Sequence, residues 1–399
     1  MSTVLVLASI HFLVDGFGNA FSPLLPLLIP KLDLSLTAVG TLQMCFQIAT
    51  SVAQLGFGHI ADRWRPRVLL IAGPIVALTI LPLVGLSTSV WILAAALVIG
   101  GLGGAAFHPP AAAMVHRVSG ARQGFAMAVH ITGGSMGTAL APLAFAPVAQ
   151  YFGLSATALF MAPAMFVLLF LLRSIPRLER MHEAREERGF AGLRPYARPL
   201  TLLYLIVVLR TVTATAFATF APVMLTRREM TVAEAGFAVA IYLFASSVGG
   251  FLGGPLADRF GARIVIVSSL ASSVPFLAAA PWLSGWTLVA VLALGGFLLQ
   301  STLPVNVTFA QTIAPISAAT VSSLMMGFAW GTGGLSVPLV GMAADRIGIE
   351  QALSLLAWAP LVASALALPL PAGKRVHSPL RVSPVATAEV TGTDVAPDV

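Results

Sequence analysis

Apolar residues come in twelve long runs separated by short polar breaks. A helix needs about 20 mostly apolar residues to cross the hydrocarbon core of a bilayer. The runs near 4–30, 38–61, 67–86, 90–116, 121–148, 154–174, 200–225, 233–256, 263–282, 286–312, 317–343 and 350–370 each supply them. The pattern predicts twelve transmembrane helices. Most breaks are only a few residues long. The exception is 175–199, a stretch of alternating charge that divides the chain into six runs (1–174) and six runs (200–370). Residues 371–399 show no periodicity and are expected to be a disordered tail.

Matching segments mark the two halves as a repeat. Trp91–Pro109 aligns with Trp286–Pro304 at an offset of 195, and residues 58–67 align with 254–263 at 196. Transporters built from such repeats place the substrate near the membrane midplane, between the halves.

Composition removes the other classes. Apolar residues make up 58% of the 399 and charged ones 9%, against about 25% charged in an ordinary soluble domain. Mean hydropathy is +0.93. A soluble enzyme cannot bury that much apolar surface. The single Cys45 excludes disulfides within the chain. Residues 1–10 carry no Lys or Arg, so the first run lacks a signal peptide's basic region and is expected to stay as a spanning helix. The net charge of +7 comes from basic residues in the breaks, a topology signal that gives no reason to expect nucleic acid. Seventeen Lys or Arg fall on the side of the termini and four on the other, which predicts cytoplasmic termini.

One element recurs. G-x-x-A-D-R stands at Gly58-His59-Ile60-Ala61-Asp62-Arg63 and again at Gly254-Pro255-Leu256-Ala257-Asp258-Arg259. Its glycine permits close helix approach, its aspartate can cap or pair at a helix end, and its arginine faces the anionic leaflet. With the six-plus-six pattern and the charged centre, the chain resembles the major facilitator superfamily over about residues 4–370. The resemblance implies alternating access, with Gly58, Asp62, Arg63, Gly254, Asp258 and Arg259 as gating residues. The segments 9–28, 101–143 and 302–313 resemble the fosmidomycin-resistance branch, with a His and an Asp four apart in helix 1 and Phe-His-Pro in helix 4. That branch often follows Phe-His-Pro with a glutamate and an arginine. This chain has Pro110 and Ala113 there.

Asp15 is the acidic residue lying well inside a run, and a bare charge at mid-bilayer costs at least about 2.5–3.5 kcal/mol on the insertion scale. It must face a wet cavity or a partner. His11, four residues earlier, shares its helix face, and an imidazole titrates near neutrality. Asp15 with His11 is therefore the candidate proton site. Arg210 is the basic counterpart in helix 7, within a turn of Asp15's repeat mate, and could pair with Asp15 or bind an anionic substrate. His108 precedes Pro109 and Pro110, where the helix is expected to be broken or kinked and to border a cavity. His130, Gln300, Asn306 and Gln311 are further candidate pocket groups. The spacing of the histidines supports no metal site, and no phosphate loop precedes a helix, so neither a metal, a cofactor nor an ATP-driven pump is expected. No nucleophile–base pair suggests an enzyme.

The resulting expectation is proton-coupled efflux of a small drug-like, phosphonate or organic-anion compound from a bacterial cytoplasm, with uptake of a small metabolite as the alternative. The expected partners are the substrate, protons and the lipid bilayer, and the expected unit is a monomer.

Overall fold

The computed structural model describes residues 1–63, 66–175, 190–314, 321 and 324–371. The charged segment from 176 to 189, the tail from 372 onward and the side chains of Asp62 and Arg63 lie outside the described residues. Among those described there is no strand, and twelve helices are long and apolar enough to cross a membrane. The first six are α1 (Ser2–Leu32), α2 (Leu36–Ala61), α3 (Pro66–Leu86), α4 (Val90–Val118), α5 (Phe125–Phe152) and α6 (Leu154–Leu172). The last six are α7 (Leu193–Arg227), α8 (Val232–Phe260), α9 (Ala262–Trp282), α10 (Gly285–Ile313), α11 (Leu324–Ile347) and α12 (Ile349–Ala367). We call the face that holds Ser2 the terminal face, and the other the far face.

Two spans differ from the sequence expectation. The α7 span starts at Leu193, inside the stretch read as linker, because Leu193 and Leu200 bury themselves while Arg194 and Arg198 stay exposed. And α4 does not break at Pro109 and Pro110: it runs helical from Val90 to Val118. There α3 packs tightly against it. A Cβ on Gly73 would sit 2.6 Å from the Gly103 carbonyl oxygen and 2.9 Å from the Phe107 nitrogen.

The repeat is visible in the backbone. Gly153 and Gly348, 195 residues apart, end α5 and α11 with φ of +85° and +89°, a left-handed conformation that suits glycine. Ser22 of α1 donates its hydroxyl to the carbonyl of Ala218 in α7, exactly one repeat offset of 196 away. A residue that touches its own repeat mate lies on the pseudo-twofold axis.

Small residues set the spacing within the first half. Cβ atoms on Gly133 and Gly137 of α5 would run into the backbone oxygens of Ala8 and Phe12 in α1, and one on Gly16 would meet the Gly137 oxygen at 3.2 Å. The two helices are in backbone contact, as small-residue stripes permit in membranes. Asn19, at the break in α1, ties the pair further by donating to the Thr138 carbonyl at 2.9 Å.

Candidate functional site

A cavity of about 300 Å³ lies between the halves, walled by α1, α2, α4 and α5 on one side and α7, α8 and α10 on the other. Asp15 and His108 line it from the first half, and Gln300, Tyr242 and Ser246 from the second.

Three helices build the charged cluster. In α1, His11 Nε2 lies 3.0 Å from Asp15 Oδ2. In α4, His108 Nε2 lies 3.5 Å from Asp15 Oδ1. In α5, the His130 ring stacks on His11 at 4.3 Å between centroids, and the His130 carbonyl oxygen lies 2.9 Å from His11 Nδ1. The glycine at 134 makes the room: a Cβ there would stand 2.5 Å from both Asp15 Oδ2 and His11 Nε2.

The protonation follows from donors and acceptors. A carbonyl oxygen only accepts, so His11 Nδ1 must carry a hydrogen and donate it. In the neutral ring, Nε2 is then a lone pair facing a carboxylate oxygen, which also only accepts. Two acceptors 3.0 Å apart require one proton between them, on the imidazole or on the carboxyl. The donor atoms of His11, Asp15 and His108 all lie within 4.8 Å of one another. This grouping is close enough to share one cation, and a proton between His11 Nε2 and Asp15 Oδ2 satisfies the hydrogen-bond geometry.

Arg210 does not pair with Asp15. Its guanidinium donates to Gln300 Oε1 and to Thr211 Oγ1, the latter at 3.1 Å, and lies over the Trp330 ring at 5.9 Å. These partners belong to its own half. Rotation about the pseudo-twofold axis houses each charge within the half that carries it, so closeness along the aligned sequence does not become contact. Arg210 is 2% exposed, and among the described residues no carboxylate pairs with it. It sits behind Gln300, which forms the cavity wall.

The remaining candidates divide. His108 and Gln300 line the cavity as expected, whereas His130 is buried behind His11. Asn306 is 1% exposed with both amide atoms unpartnered, and neither it nor the half-buried Gln311 is on the wall. A Cβ on Gly254 would meet nothing within 4 Å, and one on Gly58 only the Pro109 side chain of its own half at 3.9 Å. These glycines are not wedged against a helix here. The N-cap of the helix after Asp258 is Gly261, with no side-chain cap. Arg259 is exposed, over the Phe260 ring at 5.2 Å.

Sequence reading missed Tyr242, Ser246 and the α1–α2 wall residues Asn19 and Gln43. Gln47 stands seven residues from Gln54 on one face of α2, a spacing that reads as a cavity or α11 contact, and it lines the cavity. The α8 residues carry no such signal, because a lone Tyr or Ser in an apolar run reads as packing.

Comparison with known proteins decides the family. The sequence profile of the Major Facilitator Superfamily matches residues 7–231 and 203–390. The chain belongs to the major facilitator superfamily. Among superfamily relatives, the "Fosmidomycin resistance protein" of Escherichia coli is 28% identical over 364 residues, 88% of each chain. A "Probable 4-methylmuconolactone transporter" of Cupriavidus pinatubonensis is 28% identical, covering 89% of this chain and 87% of its own. Among solved structures, a bacterial homolog of the human lysosomal transporter Spinster, inward-facing and occupied, superposes with a TM-score of 0.78 at 17% identity, covering 91% of this chain and 95% of that one. A nucleoside transporter superposes at 0.76 and 16% identity, covering 92% and 99%. The superfamily consists of transporters, and the chain is a multi-pass membrane transporter, not an enzyme.

Proposed function

We propose that the protein is a proton-coupled antiporter that exports a small organic or phosphonate anion by alternating access. The observation that carries the proton reading is the His11–Asp15 contact on the cavity side, which needs one proton to exist. His108, on the wall beside Asp15, relays protons between the pair and cavity water. Arg210 supplies the anion site. A buried guanidinium with no carboxylate leaves a positive charge uncompensated at low dielectric, and an anionic cargo reaching past Gln300 neutralises it. Binding of the anion and loss of the proton then alternate in one cavity. The excess of basic residues on the terminal face supports cytoplasmic termini in a bacterial inner membrane, and each chain encloses its own cavity, which supports a monomer.

Whole-cell accumulation of a labelled organic anion, with and without an uncoupler, tests the direction. Export predicts that the uncoupler raises accumulation in cells expressing the protein and not in cells lacking it. A fall would establish proton-driven uptake instead.

The anion site makes a separate prediction. Arg210→Gln is expected to weaken binding of an anionic substrate about 10- to 100-fold, the value of a charge-assisted hydrogen bond, and to leave a neutral analogue within a few-fold. Titration calorimetry on purified protein reads both, and equal losses for the two ligands would remove Arg210 from the substrate site.

A further inference from the structure

The G-x-x-A-D-R pattern occurs a third time, at Gly341-Met342-Ala343-Ala344-Asp345-Arg346. The first two copies end α2 and α8 on the terminal face, and this one ends α11 on the far face. Here the glycine is wedged. A Cβ on Gly341 would run into the Leu36 carbonyl oxygen of α2, in the opposite half. The reverse contact is as tight, since a Cβ on Gly40 of α2 would sit 2.8 Å from the Val337 oxygen and the Pro338 Cα of α11.

Asp345 closes this contact. Its Oδ1 accepts the Leu36 N–H at 2.9 Å, and its Oδ2 accepts the Thr37 N–H at 2.8 Å and the Thr37 hydroxyl at 2.6 Å. The Ser35 hydroxyl accepts the Ala38 N–H at 3.1 Å. The first amides of a helix have no partner inside it. At α2, the first three are all satisfied, and two of them by the other half.

The repeat offset leads to the counterpart. Gln150, near the end of α5, stands 195 residues before Asp345. Its Oε1 accepts the Ala233 N–H of α8 at 2.7 Å. Ala233 is the mate of Thr37 at an offset of 196. Beside it, a Cβ on Gly236 would lie 2.9 Å from the Pro142 oxygen of α5. Each half therefore caps the helix of the other at equivalent positions, one with a carboxylate and one with a neutral amide.

We propose that Asp345 and Gln150 are paired clasps of the transport cycle. They hold the halves together on the far face while the terminal face is open, and both must release their helix before the cavity opens to the far side. Asp345 is the stronger clasp. A carboxylate at a helix N-terminus gains from the helix dipole and from charge-assisted hydrogen bonds, and an amide gains little from either. Both are positioning residues, since neither reaches the cavity. The proposal rests on alternating access and is independent of the proton and anion assignments.

Spin labels on Thr88 and Ser284, exposed on far-face loops of opposite halves, in a Cys45→Ser background, read the separation by pulsed dipolar spectroscopy. Wild type is expected to give mainly a short distance. Asp345→Ala is expected to raise the ratio of long to short about tenfold, and Gln150→Ala about threefold. Gln150→Glu, which adds a charge and keeps the acceptor at the same reach, is expected to move the ratio the other way and to slow turnover. Arg346→Ala, a neighbour with no such contact, is expected to leave it unchanged. Unshifted distributions in both Asp345→Ala and Gln150→Glu would overturn the proposal. The labels report it even in Asp15→Asn protein, so a failed proton reading leaves this test intact.

Discussion

Replacing Asp15 by Asn is expected to abolish proton coupling while leaving the protein folded and able to bind its cargo. Asparagine keeps the shape and can donate to the free lone pair of His11 Nε2, so the contact survives without a carboxyl to titrate. A one-for-one exchanger can sustain about a tenfold substrate ratio for each unit of pH difference, because one unit is 1.36 kcal/mol. In proteoliposomes with an imposed pH gradient, the wild type is expected to build such a ratio and the variant none, while substrate still equilibrates. Substrate-evoked proton release in detergent, followed with a pH dye, should vanish in step. Release that persists in Asp15→Asn would move the proton site elsewhere.

Two neighbouring glycines on α5 are expected to fail in opposite ways when changed to alanine. At Gly137 the new methyl meets the Phe12 backbone oxygen of α1. Backbone cannot step aside, so the helices must separate, at a cost typical of overpacking of about 1–3 kcal/mol or more. Gly137→Ala is expected to lower the melting temperature clearly. At Gly134 the methyl meets side-chain tips, Asp15 Oδ2 and His11 Nε2, at 2.5 Å. Those tips rotate away. Gly134→Ala is expected to keep a near-normal melting temperature and lose coupled transport through the broken His11–Asp15 contact. Thermal unfolding and proteoliposome transport, measured side by side, check the pair. Equal stability losses would mean that the close approach at 134 is structural rather than reserved for the proton site.

The spans were legible because twenty apolar residues leave little else to build, and the His11–Asp15 pair because both lie on one helix face at a spacing of four. The joining of His108 was not legible, since it comes from another helix and only packing brings it within reach of Asp15. Arg210 shows the reverse error. Repeat alignment set it within a turn of Asp15's mate and left pairing with Asp15 as one of two readings, and the structure keeps it among Gln300, Thr211 and Trp330 instead. The proline pair in α4 suggested a break or a kink, and the helix runs unbroken through it, with α3 packed close one turn earlier at Gly103 and Phe107. The third G-x-x-A-D-R copy stood in plain sequence, and only the contacts of Asp345 distinguish it from a topology signal.

His11, Asp15, His108 and His130 all reside on α1, α4 and α5, and α1 and α5 touch through bare backbone. On the proposed proton reading, the site travels as a passenger of one stiff body. Rocking one half against the other leaves the separations inside the cluster as they are, so no exchange of partners times the cycle. What changes is hydration: whichever compartment's water fills the cavity sets the proton activity that His108 and Asp15 meet. In the proposed cycle the site keeps its shape on both sides of the membrane, like a fixed electrode dipped alternately into two solutions.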